Sequence, residues 1–130
     1  MKTKFIIAIT FLIICSCNNS DKKQRKMTKK ATIVEMVLFK INDGISQEKA
    51  ENQMTELNEF ISKQPGFISR KTSVSEDGQF LDIVFWTDLE SATIASEKAM
   101  KNPKTLKAFE VIDEKSMTFK HFSIFNETQE

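Results

Sequence analysis

Two stretches of this chain are apolar on both faces of a predicted β-strand, and this constrains the fold more than any other feature. Ile33–Ile41 and Phe80–Trp86 consist mostly of aliphatic and aromatic residues, which favour strands. In a sheet with one face in water, polar and apolar residues would alternate cleanly along each strand. Here both sets of alternate residues are mostly apolar, so we expect both faces of the sheet to be covered.

The rest of the domain alternates predicted strands and helices. Two further strands are predicted at Phe67–Val74 and Met117–Phe125. Ser46 is a candidate cap for a first helix, because apolar residues follow it at helical spacing. The Thr87-x-x-Glu90 pattern is typical of a capping box and predicts the start of a second helix. A short third helix is predicted from the apolar residues Leu106, Phe109 and Ile112.

This order of elements predicts the fold class. The sequence β-α-β-β-α-β, with an extra helix before the last strand, favours a ferredoxin-like antiparallel sheet with its helices on one face. The other face would then be an exposed apolar patch larger than monomers tolerate. We therefore expect a homodimer that packs sheet against sheet. The aromatic residues expected on this exposed face are Phe39, Phe80, Trp86, Phe119 and Phe125.

The N-terminus has the pattern of a secretory signal. Lys2 and Lys4 precede an apolar run over Phe5–Ile14 that is too short for a transmembrane helix, which needs roughly 20 residues. The run ends at Cys17 in a segment that resembles a bacterial lipobox, which predicts export and a lipid anchor on Cys17; a plain cleaved signal or an uncleaved anchor are the alternatives. The predicted division is a signal peptide (1–16), a lipidated cysteine with a basic tether (17–30), one domain (31–126) and a tail (127–130).

Charge separates the tether from the domain. Residues 17–30 carry six basic residues and one acidic residue, a composition typical of a solvated, disordered spacer or of a segment that touches anionic lipid. Residues 31–130 carry 11 basic and 17 acidic residues, a formal charge of −6. A domain with this field is not expected to bind nucleic acid.

Thiol chemistry and metal binding are not expected in the domain. The two cysteines of the chain are Cys15, in the predicted signal peptide, and Cys17, at the predicted lipidation position. The domain itself contains no cysteine and one histidine, His121. Neither a disulfide nor a zinc site fits this composition, and we expect no metal and no cofactor.

Four segments carry a resemblance to a known family over nearly the whole domain. They are Pro65–Arg70, Leu81–Trp86, Leu89–Ala92 and Lys120–Phe122. Through them, the region from Ala31 to Phe125 resembles the dimeric α/β-barrel group, in its antibiotic-biosynthesis-monooxygenase-like branch. The resemblance implies a dimeric barrel. Members of the family include cofactor-free oxygenases of aromatic polyketides or quinols, haem-degrading enzymes and proteins of no known activity.

The haem-degrading branch of that family is disfavoured. The resemblance would place a Trp and a His in or just after the second helix and an Asn in the first strand. Here the stretch 91–107 contains neither Trp nor His, and the first strand carries Glu35 and no Asn.

A candidate site follows from the period of two along the strands. Glu35, Asp82 and His121 fall on the same sheet face as Trp86, which we expect to lie away from the helices, in the lumen of the dimer. His121 would act as a general base toward a phenol or quinol, with the two carboxylates beside it. In the alternative interpretation, His121 would be a structural residue with its hydrogen bonds satisfied, and Glu35 or Asp82 would pair across the dimer. The residues predicted to contact a small aromatic ligand are Trp86, Phe39 and Phe119.

Three classes of function therefore stay open from the sequence. The first is a cofactor-free oxygenase acting on a small aromatic compound. The second is a non-catalytic envelope lipoprotein that binds a small molecule, and the third is a structural dimer module. A ligand site would need a cavity of about 300 Å³ or more within reach of His121.

Overall fold

A computed structural model describes residues 29–128 of the 130-residue chain. The predicted signal peptide, Cys17 and most of the tether lie outside these residues. The described part contains four strands and three helices. The strands are β1 (Ile33–Ile41), β2 (Phe67–Val74), β3 (Phe80–Trp86) and β4 (Ile112–Ser123), and the helices are α1 (Gln47–Ile61), α2 (Leu89–Ala99) and α3 (Pro103–Phe109).

The four strands form one antiparallel sheet in the order β2-β3-β1-β4. This confirms the predicted ferredoxin-like fold, with β1 between β3 and β4. The register places Glu35 directly opposite Val84 on one side and His121 on the other. Because residues directly opposite one another share a face, Glu35 and His121 are neighbours on the same side of the sheet.

The helix cap predicted for α1 is confirmed, and the one predicted for α2 is replaced by a neighbouring residue. Ser46 accepts a hydrogen bond from the backbone N–H of Lys49 and caps α1, as predicted. The second helix is capped by Asp88 and not by Thr87: Asp88 Oδ1 accepts from Ser91 N–H at 2.7 Å. The hydroxyl of Thr87 instead donates to the other carboxylate oxygen of Asp88.

The last strand begins earlier than predicted. It starts at Ile112, which the sequence pattern had placed in the third helix, and not at Met117. The short α3 ends at Phe109, and its cap is Asn102, whose side chain accepts from the backbone N–H of Lys104 and is followed by Pro103. Proline suits the first helical position because its missing N–H would have no partner there.

The predicted assignment of the two sheet faces was wrong. Phe39, Phe80 and Trp86 were expected on the face away from the helices, but all three are buried beneath the helices in the core. Glu35 and Asp82 lie on this same face, which we call the helix face. The error has a physical reason: both faces are apolar, so period-two counting groups the residues correctly without showing which group the helices cover.

The core under the helices consists of two apolar clusters. The larger one lies between the sheet and α1 and α3, and the smaller one lies beneath α2, where Ala92 and Ala95 leave room for the Trp86 ring. The buried members of the larger cluster are Phe39, Ala50, Met54, Leu57, Phe80, Ala108, Val111 and Ile112. Those of the smaller one are Ile33, Val84, Trp86, Ala92 and Ala95.

The opposite side of the sheet, which we call the open face, has no helix over it within residues 29–128. Its apolar side chains alternate with those of the helix face and stay partly accessible to solvent. They are Val34, Met36, Leu38, Leu81, Ile83, Phe85 and Phe122. No helix in the same range is both long and apolar enough to span a bilayer.

Candidate functional site

A band of charged side chains crosses the helix face between the two apolar clusters. Glu35 is 6% exposed and Asp82 is 8% exposed, although carboxylates are rarely buried unless they are paired. Each of them has a partner. Asp82 pairs with Arg70 and Glu35 pairs with His121, so the band consists of two separate pairs.

The His121–Glu35 pair lies at the edge of the sheet. His121 Nε2 is 2.8 Å from Glu35 Oε2, and the hydroxyl of Ser96 lies 3.1 Å from the same oxygen. Ser96 stands on α2, whereas Glu35 and His121 stand on neighbouring strands. The pair is therefore held by three elements, and α2 closes it from above.

The electrostatics of Glu35 follow from its burial. Loss of water raises the pKa of Glu35 above its ordinary value of 4.5. The hydrogen bonds from His121 and Ser96 and the charge of His121 oppose this rise, and the nearby charge of Asp82 adds to it. Burial and the hydrogen bonds therefore act in opposite directions on the Glu35 carboxyl, which is joined to His121 by one short hydrogen bond.

The Arg70–Asp82 pair is the second half of the band. Arg70 donates to both carboxylate oxygens of Asp82, at 2.9 and 2.7 Å, in the forked geometry that guanidinium and carboxylate groups share. It also donates to the backbone carbonyl of Met54 and the side chain of Asn58 on α1. With four acceptors, Arg70 fixes α1 to the sheet.

This pairing adds one residue to the predicted site and corrects one sequence-based expectation. Arg70 was not among the predicted site residues, yet its side chain is only 3% exposed and pairs with Asp82. Asp82 was expected beside His121, but its hydrogen bonds go to Arg70. The pairing of β2 with β3 could have indicated this contact. Thr72 lies opposite Asp82, so Arg70, two residues before Thr72, is a diagonal neighbour of Asp82 on the same face.

Of the three aromatic residues predicted to contact a ligand, two lie in the core and one lies on the edge strand β4. The ring of Phe39 stacks on that of Phe80, with the ring centroids 5.3 Å apart. The ring of Phe67 lies edge-on to that of Trp86, with the centroids 6.0 Å apart. Phe39 and Trp86 are both buried. A ligand would reach these two only if the core opened, so their predicted role stays a prediction. Phe119 differs, since it is 44% exposed and its ring lies edge-on to His121 at 5.0 Å.

The indole N–H of Trp86 is the one buried side-chain donor in residues 29–128 that has no hydrogen-bond partner. It lies in the smaller cluster beneath α2. A buried donor without an acceptor costs stability.

Two open depressions lie on the surface of residues 29–128. One, of about 310 Å³, is lined by residues of α3, of β4 and of the segment between them, together with Asn42. The other, of about 260 Å³, lies between α1 and the β2–β3 hairpin. Neither of these is lined by Glu35, Asp82 or His121. The side chain of His121 is 20% exposed. Across residues 29–128, no cluster of three or more His, Cys, Asp or Glu side chains could hold a metal.

Comparison with known proteins places this geometry in a fold. No family model matches the sequence, and no curated protein matches it. A variant of SnoaB, a cofactor-independent oxygenase from Streptomyces nogalater, aligns with a TM-score of 0.65 over 78% of this chain and all of its own, at 16% identity. The domain has the fold of the antibiotic-biosynthesis monooxygenases.

Two further solved structures share this monooxygenase-type fold. A monooxygenase of Streptomyces coelicolor in complex with nanaomycin D has a TM-score of 0.59 over 77% of this chain and 93% of its own, at 16% identity. A dimeric ferredoxin-like protein from an uncultured marine organism has a TM-score of 0.60 over 79% and 96%, at 12% identity. At such identities the likeness concerns the fold and not the substrate.

The raised pKa of Glu35 predicts how stability depends on pH. The folded state holds the proton more tightly than the unfolded state, so this carboxyl's stabilising contribution is complete below pH 4.5 and is lost as the pH rises through the folded pKa. Glu35→Gln removes the titration. Relative to wild type, we expect the variant to gain unfolding free energy between pH 4.5 and pH 8, measured by urea denaturation.

The matched control for this titration is Glu90→Gln, which removes an exposed carboxyl at the start of α2. Its difference from wild type should change little over the same range. A Glu35→Gln difference that is constant with pH would contradict the prediction.

Proposed function

We propose that this chain is an exported, lipid-anchored domain that acts as a cofactor-independent oxygenase on a small phenol or quinol. The observation that carries the proposal is the 2.8 Å contact between His121 Nε2 and Glu35 Oε2, at an edge that solvent and Phe119 share. A base held in place by a carboxylate, with an aromatic ring beside it, suits the deprotonation of a phenol. SnoaB, a cofactor-independent oxygenase, has the same fold.

The proposed chemistry starts with the two nitrogens of His121. When Glu35 is ionised, Nε2–H donates to Glu35 Oε2, which leaves Nδ1 as the acceptor. Nδ1 then takes the phenol proton, and the Glu35 carboxylate stabilises the imidazolium that results. The electron-rich phenolate reduces dioxygen directly. One oxygen atom bonds to an unsubstituted para carbon to give a quinone, and the other leaves as water with the two hydrogens that the substrate loses.

Removing the base should abolish oxygen uptake. His121→Ala is expected to lower the rate with a phenol or polyphenol that has an unsubstituted para carbon by roughly 10² to 10⁴, the usual contribution of a general base. His121→Gln, which keeps a hydrogen-bond donor toward Glu35, should lose the rate as well. An oxygen electrode measures both, after a screen of substrates on the wild type.

Added imidazole serves as the control, since it should restore part of the rate to His121→Ala and not to wild type. Equal rates in wild type and His121→Ala would exclude His121 as the base. Binding of an aromatic compound without oxygen uptake by wild type would favour the second candidate function.

That second candidate is a non-catalytic envelope lipoprotein that binds a small molecule or serves as a structural dimer. Neither of the two depressions described above for residues 29–128 is lined by His121, which favours the structural dimer. So does the burial of Phe39 and Trp86, which leaves one of the three predicted ligand contacts accessible.

The proposal includes a homodimer that packs through the open face. No helix covers this face within residues 29–128, and its seven apolar side chains stay partly accessible to solvent. Monomeric proteins rarely expose a continuous apolar patch of this kind. A solved protein of similar fold is dimeric and ferredoxin-like. The pairing leaves the helix face free, so His121 lies outside the dimer contact.

A charge on the open face should separate the dimer. Ile83→Asp places an unpaired carboxylate in the proposed contact, which should raise the dissociation constant by about a hundredfold or more. Sedimentation velocity at micromolar concentration measures it. Leu89→Asp, at an exposed position at the start of α2, is the control and should stay dimeric. A wild-type protein that sediments as a monomer would contradict the dimer proposal.

The proposed anchor rests on the sequence around Cys17. If the thiol of Cys17 carries the lipid, Cys17→Ser should release the protein into the soluble fraction or leave its signal uncleaved. Labelled palmitate measures this, with Cys15→Ser as the control that should still incorporate the label. Equal labelling of wild type and Cys17→Ser would refute lipidation at this position.

A further inference from the structure

The corner between α2 and α3 concentrates positive charge on an acidic domain. Four of the 11 basic residues in 31–130 fall within the ten residues 98–107, and no acidic residue lies between Glu97 and Glu110. We call residues 98–107 the lysine corner. Its four lysines are Lys98, Lys101, Lys104 and Lys107.

All four lysines are exposed and free of ion pairs with any residue in 29–128. Lys104 comes near Glu59 of α1, but the pKa of Glu59 is lowered chiefly by its hydrogen bond to Lys63, with Lys104 a lesser cause. The fold turns the lysines outward, because Thr105 and Ala108 occupy the buried side of α3. The lysine corner therefore presents its charge to an external partner.

Apolar side chains stand among these charges. Met100 at the end of α2 is 62% exposed, Ile94 one and a half turns earlier is 42% exposed, and Leu106 on α3 is 41% exposed. A surface with lysines around exposed aliphatic and thioether side chains is typical of protein segments that rest at a bilayer interface.

We infer that the lysine corner docks on the surface of an anionic phospholipid membrane, with Met100 and Leu106 inserted at the headgroup level. Anionic headgroups attract each lysine within a Debye length of the surface, about 8 Å at physiological salt. The acidic remainder of the domain is repelled. Charge complementarity thus selects one orientation of the domain out of many.

The inference rests on the proposed anchor only for bringing the domain to the bilayer. Cys17 precedes the first described residue by 12 positions, a span of at most about 40 Å. A domain of roughly 100 residues has a radius of gyration near 13 Å, so an anchor of that length lets any face reach the bilayer. The tether is long enough for the domain to contact the bilayer, and the charge of the lysine corner determines which face of the domain does so.

Docking in this orientation also concerns the candidate site. Met100 lies one helical turn after Ser96, whose carbonyl accepts its N–H at 3.1 Å, and the hydroxyl of Ser96 contacts Glu35. The end of α2 that would touch lipid is therefore the end that closes over the His121–Glu35 pair. A phenol or quinol dissolved in the bilayer would then enter from the membrane side.

A tryptophan probe in the full chain tests the orientation. Met100→Trp should shift its emission to the blue and be quenched by vesicles of brominated phosphatidylglycerol, beyond the signal of the buried Trp86 in wild type. Leu89→Trp is the matched control, since Leu89 is 50% exposed at the other end of α2, about 16 Å along the helix axis. Its emission should not change. Equal quenching at both positions, or at neither, would overturn the inference.

A charge variant tests the chemistry of the partner. Replacing the four corner lysines with Gln should weaken binding to phosphatidylglycerol vesicles at least tenfold in co-sedimentation and lower its salt dependence. The control replaces four other exposed lysines, Lys40, Lys49, Lys63 and Lys115, and should stay within twofold of wild type. Equal losses in the two variants would contradict the inference.

Three further outcomes separate the docking surface from other causes of binding. Binding of a short DNA duplex by wild type, without quenching of Met100→Trp by vesicles, would overturn the lipid assignment in favour of another polyanion. If Cys17 incorporates palmitate while the vesicle assays fail, the anchor stands and the docking surface is refuted. If the vesicle assays succeed while Cys17 is not lipidated, the docking surface stands without that anchor.

Discussion

The burial of the Glu35 carboxylate between the sheet and α2 is the interaction on which the rest of the structure depends. A carboxylate at 6% exposure needs partners, and here His121 and Ser96 supply them from β4 and α2. The same contact orients the only imidazole of the chain and holds the end of α2 against the sheet. Asp82 and Arg70 repeat the arrangement beneath α1. The charged band thus divides the core into two apolar clusters and fixes the positions of α1 and α2.

Much of the fold could be predicted because its signals are local. The apolar strands, the Ser46 cap and the order of elements specify a ferredoxin-like sheet, and its strand order places Glu35 beside His121. The choice of face could not be predicted, because both faces of β1 and β3 are apolar and the decisive contacts, such as Ser96 with Glu35, are 61 residues apart in the chain. Arg70 was missed for a related reason: a cation at the edge of a hairpin is usually solvated, and its burial depends on how α1 packs.

The surface of the domain divides into regions with different tasks. The helix face carries the two charged pairs and the core, the open face presents apolar side chains to the proposed second copy, and the lysine corner presents charge and two apolar side chains to the proposed lipid surface. These regions are compatible because no residue serves two of them. A dimer built through the open faces leaves both His121–Glu35 pairs outside the contact, and each pair stays close to the α2 end proposed to meet the membrane.

The tautomer of His121 tests the central claim most directly. The chain has a single histidine, so nitrogen–proton correlation spectra of ¹⁵N-labelled protein report on this ring without ambiguity. At a pH where the imidazole is neutral, the account predicts a proton on Nε2, donated to Glu35, and a bare Nδ1 able to accept a proton from a phenol. A proton on Nδ1, with Nε2 accepting from a protonated Glu35, would contradict the account, because the ring would then have no free nitrogen with which to act as a base.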